Sequence, residues 1–212
     1  MVTIIDYGAG NIKSIRNMLK RIGVPSTITS EKQAVQDAEK IILPGVGHFD
    51  YGMRQLKQSG LIEVLNQKVL EEKTPLLGIC LGAQMLGNKS EEGSENGLGW
   101  INMDIIKFKI EQMPPTCKIP NMGWNKISKS KTALQNKNKG VDLFQHLEED
   151  ARFYFVHSYH MLPLDTEVTL ATANYGYEYA AAVQQGNIYG VQFHPEKSHF
   201  FGMRLLENFA GL

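Results

Sequence analysis

The sequence predicts an α/β fold: a central, mostly parallel sheet flanked by helices. Three observations carry this expectation. Short β-branched runs alternate with amphipathic helical patterns through the first half of the 212 residues, and such alternation lays helices on both faces of a parallel sheet. Two of the strand candidates run straight into glycine turns, "KIILPGVG" and "PLLGICLG". The second half is richer in strand patterns and closes on a helix, with neither a repeat nor a linker, so residues 1–212 read as one domain.

Taken in order, "VTIID" reads as a strand and "NIKSIRNMLKRIG" as a helix, with Ile12, Ile15, Met18, Leu19 and Ile22 at helical spacing and Gly23 where a C-cap would fall. "STITS" and "KIILPGVG" follow as strands, "LIEVLNQKVLEE" as a helix and "PLLGI" as a strand. "WINMDIIKFK", "RFYFVHSYH", "EVTLATAN", "EYAAAVQQ" and "NIYGVQFH" are further strands, and "SHFFGMRLLENFAGL" is the closing helix. The lysine-rich stretch at 125–140 reads as a solvated loop.

Charge and composition exclude several classes. With 22 basic and 22 acidic residues there is no net field to gather nucleic acid or an anionic membrane. Two cysteines build no disulfide framework, which suits a reducing compartment. "MVTIIDYGAGN" has no basic n-region or long apolar h-region, so the expectation is a cytoplasmic protein.

One of those cysteines sits between glycines. Gly78-Ile79-Cys80-Leu81-Gly82 follows a strand and opens a helix. This is the context of a nucleophile elbow, where small residues two before and two after let strand and helix pass closely beneath a raised nucleophile. A helix N-terminus also favours the thiolate form. Cys117 has no such setting. A thiol nucleophile needs a base and an orienter. Of His48, His146, His157, His160, His194 and His199, His194 stands out: it ends a strand-like run and has Glu196 two residues on, on the same face if the segment is extended. The turn in "LPGVGHF" offers the backbone N–H groups of Gly45, Val46 and Gly47 to an oxyanion, alongside that of Leu81 after the nucleophile.

Together "PGVGHF", "GICLGAQML" and "FHPEKS" resemble the class I glutamine amidotransferases, and "DYGAGNIKSI", "PNMGWN" and "YFVHSYHM" resemble the glutaminase subunits of imidazole glycerol phosphate synthases. The resemblance runs nearly end to end. It implies a flavodoxin-like fold, hydrolysis of L-glutamine to glutamate and ammonia by a Cys80–His194–Glu196 triad, and no cofactor or metal. It also implies substrate contacts at Gln84, Glu92, His157, Ser158 and Tyr159. Asn121, Met122, Trp124 and Lys197 would lie at the interface with a (β/α)₈ synthase subunit, in a heterodimer that carries ammonia to an acceptor. "LGNKSEEG" and the lysine-rich stretch also resemble paralogues that supply ammonia to a surface-polysaccharide sugar.

Other readings fit less well. In α/β-hydrolases the acid precedes the histidine in the chain, whereas Glu196 follows His194. No zinc spacing exists with two cysteines, and the strand pattern points His157 and His160 to opposite faces. "YGAGNIKS" lacks the third glycine of a dinucleotide fingerprint; Gly8 and Gly10 suit a tight strand-to-helix turn.

Overall fold

The computed structural model describes residues 1–130 and 142–212. Its strands are β1 (Val2–Ile5), β2 (Ser26–Thr29), β3 (Lys40–Gly45), β4 (Leu76–Cys80), β5 (Met103–Lys107), β6 (Asn121–Lys129), β7 (Arg152–His157), β8 (Tyr159–Pro163), β9 (Thr169–Tyr175), β10 (Tyr177–Gln185) and β11 (Ile188–Val191). The helices are α1 (Ile12–Arg21), α2 (Lys32–Gln36), α3 (Phe49–Gln58), α4 (Ile62–Asn66), α5 (Leu81–Met85) and α6 (His199–Ala210).

The strands form one sheet in the order β2-β1-β3-β4-β11-β10-β9-β6-β7, with β8 on β10 and β5 on β8. From β2 to β11 every neighbour is parallel. From β11 onward the pairing is antiparallel. The inner parallel strands β1, β3, β4 and β11 are buried almost throughout because both faces are covered, whereas the edge strand β2 (Ser-Thr-Ile-Thr) is only half-buried. Alternate residues therefore feed two cores. Ile4, Ile42, Leu77 and Ile79 pack with Ile15 and Leu19 of α1 and with Leu205, Leu206 and Phe209 of α6. Ile5, Ile41, Leu43 and Leu76 pack on the other side with Val35 of α2, Met53 and Leu56 of α3 and Leu65 of α4.

Four local features depart from the sequence pattern. α2 and α3 follow strands where no helix is predicted. The helix expected over 61–72 changes to a π turn at Gln67–Glu71, with Lys68 bonded to Glu72. The run "RFYFVHSYH" is two strands broken at Ser158, because β7 pairs with β6 while β8 pairs with β5 and β10. The lysine-rich stretch begins inside β6 rather than as a loop; residues 131–141 of it lie outside the described residues.

Glycine is obligatory where β3, β4 and α5 meet. A Cβ on Gly82 would lie 2.0 Å from the Leu43 carbonyl oxygen, and one on Gly45 would lie 2.5 Å from Gly82 N. Gly186, at φ +60°, has open space around it. Gly82→Ala is therefore expected to cost at least ~2 kcal/mol by forcing backbone apart, against ~1 kcal/mol for Gly186→Ala. Thermal unfolding of the two variants beside the parent checks the order.

Candidate active site

The centre of the site is the end of β4. Cys80 holds φ +54° and ψ −110°, a region that costs a non-glycine residue about 1–3 kcal/mol and persists only where the surroundings enforce it. The enforcement is visible: a Cβ on Gly78 would sit 2.8 Å from Ala83 Cα, and Gly82 is wedged against β3. The bracketing glycines thus do what their spacing predicts. The side chain of Cys80 is lifted to the end of the sheet, 7% exposed.

β11 lies beside β4 in the parallel sheet, so the chain leaving β11 delivers His194 to the same end. The His194 ring and Cys80 line one cavity, and the ring Nδ1 lies 2.8 Å from Glu196 Oε1, with both side chains buried. Glu196 reaches the ring by a different route from the extended alternation expected: Pro195–Lys197 is a single 3₁₀ turn that folds the carboxylate back under the imidazole. Ser198 fixes that turn, since its hydroxyl donates to the His194 carbonyl (2.6 Å) and accepts from Tyr154 N–H (3.0 Å). The His194 N–H in turn donates to the Tyr154 carbonyl at 2.9 Å. Burial pulls the imidazole pKa down. The hydrogen bond and negative charge of the Cys80 sulfur, and then those of Glu196, outweigh it and raise the value to about 10. A group tuned this way is an imidazolium at neutral pH, ready to give a proton rather than take one.

A cavity of about 280 Å³ opens over the sulfur. Val46, Gly47, Leu81, Gln84, Glu92, His157, Ser158, Tyr159 and Lys197 line it together with Cys80 and His194. Gly45 is not among the lining residues; it pairs with Cys80 across β3 and β4. Gln84 Nε2 donates to the Tyr159 carbonyl and to Gln192 Oε1, each at 3.1 Å. With both amide hydrogens used, its oxygen is the group left to accept from a ligand.

His157 serves as wall rather than as a polar contact. Its Nδ1 donates to the Tyr159 carbonyl at 2.8 Å, and Nε2 faces Asn121 Nδ2 and Tyr179 Oη at 3.1 and 3.3 Å. Burial, with the Tyr159 carbonyl opposing and His160 and His194 adding, depresses its pKa to about 3, so it stays neutral. The expectation that His157 and His160 point to opposite faces fails. The break at Ser158 resets the alternation, and both rings pack on Phe108, at 5.2 and 4.8 Å between centroids. Among the described residues there is no group of three or more His, Cys, Asp or Glu placed to hold a metal ion.

Of the expected interface residues, Met122 and Trp124 project from one side of β6, 62% and 44% exposed. Trp124 stacks on His199 (5.5 Å, 5° between planes), and Lys197 Nζ lies 5.6 Å above the Tyr154 ring. Asn121 corrects the expectation. It is 1% exposed, because alternation along β6 turns its side chain inward, where it bonds His157 and Tyr179.

Three residues that the sequence reading does not single out complete the site. Gln192, fully buried, points Nε2 at the Cys80 sulfur (3.9 Å) while binding Gln84. Its place two residues before His194 in an extended run is the signal that could have found it. Tyr7 donates its hydroxyl to the Pro44 carbonyl at 2.6 Å and so fixes the strand end before the Gly45-Val46-Gly47 turn. The third is Ser198. Only the fold reveals these last two.

Residues 3–211 match the family described as glutamine amidotransferase class-I. The chain is 53% identical over 209 residues to imidazole glycerol phosphate synthase subunit HisH 2 of Methanococcus maripaludis, covering 99% of this chain and 98% of that one. With subunit HisH 1 of the same organism it shares 42% over 217 residues, covering all of both. A crystal structure of a glutamine amidotransferase superposes over the full length of both chains with a TM-score of 0.72 at 20% identity, which is a likeness of fold.

The His194 titration is directly measurable. Because the folded pKa is raised, the stability drawn from this ring is complete below the unfolded value of about 6.5. It is lost as pH climbs through about 10. Ring ¹⁵N NMR should show the imidazolium surviving well above neutrality. Cys80→Ala and Glu196→Gln should each lower the midpoint, Cys80→Ala the more. A midpoint unmoved by both would contradict the electrostatic account.

Proposed function

The chain belongs to the class I glutamine amidotransferases, and from that premise we propose that it is the glutaminase subunit of an imidazole glycerol phosphate synthase. The observation that carries the chemistry is the buried Cys80–His194–Glu196 constellation under a cavity of about 280 Å³. The name of its 53%-identical relative supports the pathway.

Each step follows from a placed group. The substrate's side-chain amide lies over Cys80, its α-ammonium on the Glu92 carboxylate and a further N–H on the Gln84 oxygen. The Cys80 thiolate attacks the amide carbon. The oxyanion is held by backbone N–H groups of Leu81 and the Gly45-Val46-Gly47 turn, an arrangement in which one donor typically contributes ~3 kcal/mol. The His194 imidazolium gives its proton to the departing nitrogen and becomes the neutral base that activates water. Hydrolysis of the γ-glutamyl thioester then restores the thiol. Glu196 holds the ring in one orientation throughout.

Ammonia released to water at neutral pH becomes ammonium and loses its nucleophilic lone pair. It must therefore pass through protein to its acceptor. The exposed Met122 and Trp124, beside the Lys197 that also lines the cavity, form the face for a (β/α)₈ synthase subunit in a cytoplasmic heterodimer. The partner's ligand would complete the oxyanion turn.

A second reading keeps the chemistry and changes the acceptor. The chain is nearer the second HisH of Methanococcus maripaludis than the first, 53% against 42%. Both relatives are named as imidazole glycerol phosphate synthase subunits, so the polysaccharide reading rests on the resemblance of "LGNKSEEG" and the lysine-rich stretch alone.

Cys80→Ala should abolish glutamine hydrolysis by at least ~10³-fold, in line with loss of a covalent nucleophile. The partner complex should still aminate its acceptor from added ammonium salts. Retained glutaminase activity in the variant would refute the site. Supplying the formimino-carboxamide ribulotide and a keto-sugar nucleotide in parallel distinguishes the two acceptors.

A further inference from the structure

The 91–95 loop carries Glu92 into the cavity, yet it has no regular structure of its own to hold it there. The loop's first residue, Glu91, is anchored to β5, its N–H donating to the Ile105 carbonyl and its carboxylate accepting from Lys107 N–H; the remainder is held by the start of α3. The Asp50 carboxylate accepts from Ser94 N–H through both oxygens (3.0 and 3.1 Å) and from Glu95 N–H (2.9 Å), with Ser94 Oγ at 3.4 Å. In the opposite direction Glu92 Oε2 accepts from Phe49 N–H at 2.7 Å. The two acids are thus crossed. Each element supplies a carboxylate, and each receives the other's amide hydrogens.

The steric fit is as specific as the hydrogen bonds. Gly93 passes directly over Asp50, and a Cβ there would lie 1.9 Å from Asp50 Oδ1. No residue other than glycine leaves room for the carboxylate to reach the Ser94 and Glu95 amides. Glu95 adds an outer ion pair to Lys57 of α3 at 2.5 Å. The amide of Glu95 foremost keeps the Asp50 carboxyl below the usual carboxylate range; burial opposes it, and the Ser94 amide and the charge of Arg54 add to the lowering. It stays an acceptor at any pH at which the enzyme would work.

We propose that Asp50 is a positioning residue for substrate: by clasping the 91–95 loop it sets Glu92 so that one oxygen is spent on Phe49 N–H and the other faces the cavity to take a cationic α-amino group. The inference rests on the glutaminase reading and deepens it. Because Phe49 lies two residues beyond Gly47, the clasp also ties the ammonium-binding carboxylate to the turn assigned to the oxyanion. Asp50 touches no reacting atom.

The test uses the chain with its synthase partner. Asp50→Ala removes the acceptor. Gly93→Ala keeps the acid but displaces it from the loop amides, and the displaced group is the end of a side chain, so the fold tolerates the change. Both variants should raise KM for glutamine about tenfold, with kcat within about threefold of the parent. Both should narrow the preference for glutamine over glutaramate, which lacks the α-amino group. Alkylation of Cys80 by iodoacetamide and activity with added ammonium should stay at parental rates. On a Glu92→Gln background, Asp50→Ala should change KM less than twofold, which a general loss of stability would not produce. An unchanged KM in both single variants, or full additivity with Glu92→Gln, would overturn the proposal. Loss of the underlying reading shows differently, as an active Cys80→Ala enzyme.

Discussion

The site depends on a single backbone constraint, the left-handed turn at Cys80. Nothing about cysteine favours φ +54°, so the conformation must be imposed by what surrounds it. Gly78, Gly82 and Gly45 impose it together, since each allows an approach that a side chain would forbid. The core follows from the same constraint. β3 and β4 are parallel and adjacent, both end at this level, and α5 leaves immediately toward the far face. Everything chemically active in the chain is arranged around the point where the strand is made to turn.

Around that point the electrostatics are those of a closed, compensated group rather than of separate titrating side chains. A buried imidazole would normally be neutral, and His157 behaves so, hydrogen-bonded to a carbonyl, an amide and a phenol. His194 is buried as well, yet carries a proton because sulfur and carboxylate flank it on opposite sides. Two histidines lining one cavity therefore have opposite protonation: burial decides for His157, and the flanking sulfur and carboxylate override it for His194. The contrast separates the proton carrier from the wall.

Much of this was legible in the primary structure. The bracketed cysteine, the histidine with its trailing glutamate and the glycine turn are local signatures, and each reports a steric or chemical requirement of its own few residues. The parallel half of the sheet was legible for the same reason: β1, β3, β4 and β11 are short, mostly apolar, almost fully buried runs. What stayed hidden depends on pairing across the chain. The inward turn of Asn121 is fixed by its register opposite His157 on β7. The route by which Glu196 meets the ring depends on a 3₁₀ turn that the spacing alone does not distinguish from a strand. Gln192, Tyr7 and Asp50 act on residues 37 or more positions away, beyond the reach of any motif.

The bond between the His194 amide and Tyr154 has one further consequence. Tyr154 is the β7 partner of Trp124 across the antiparallel pair, its ring meets the indole edge-on at 6.1 Å, and the ammonium of Lys197 rests on its face. The outward aromatic surface and the His194 backbone are consequently joined by one main-chain link. Tyr154 thereby touches both the exposed indole and the buried chain leaving β11, and a change in its main-chain position would be shared by the two.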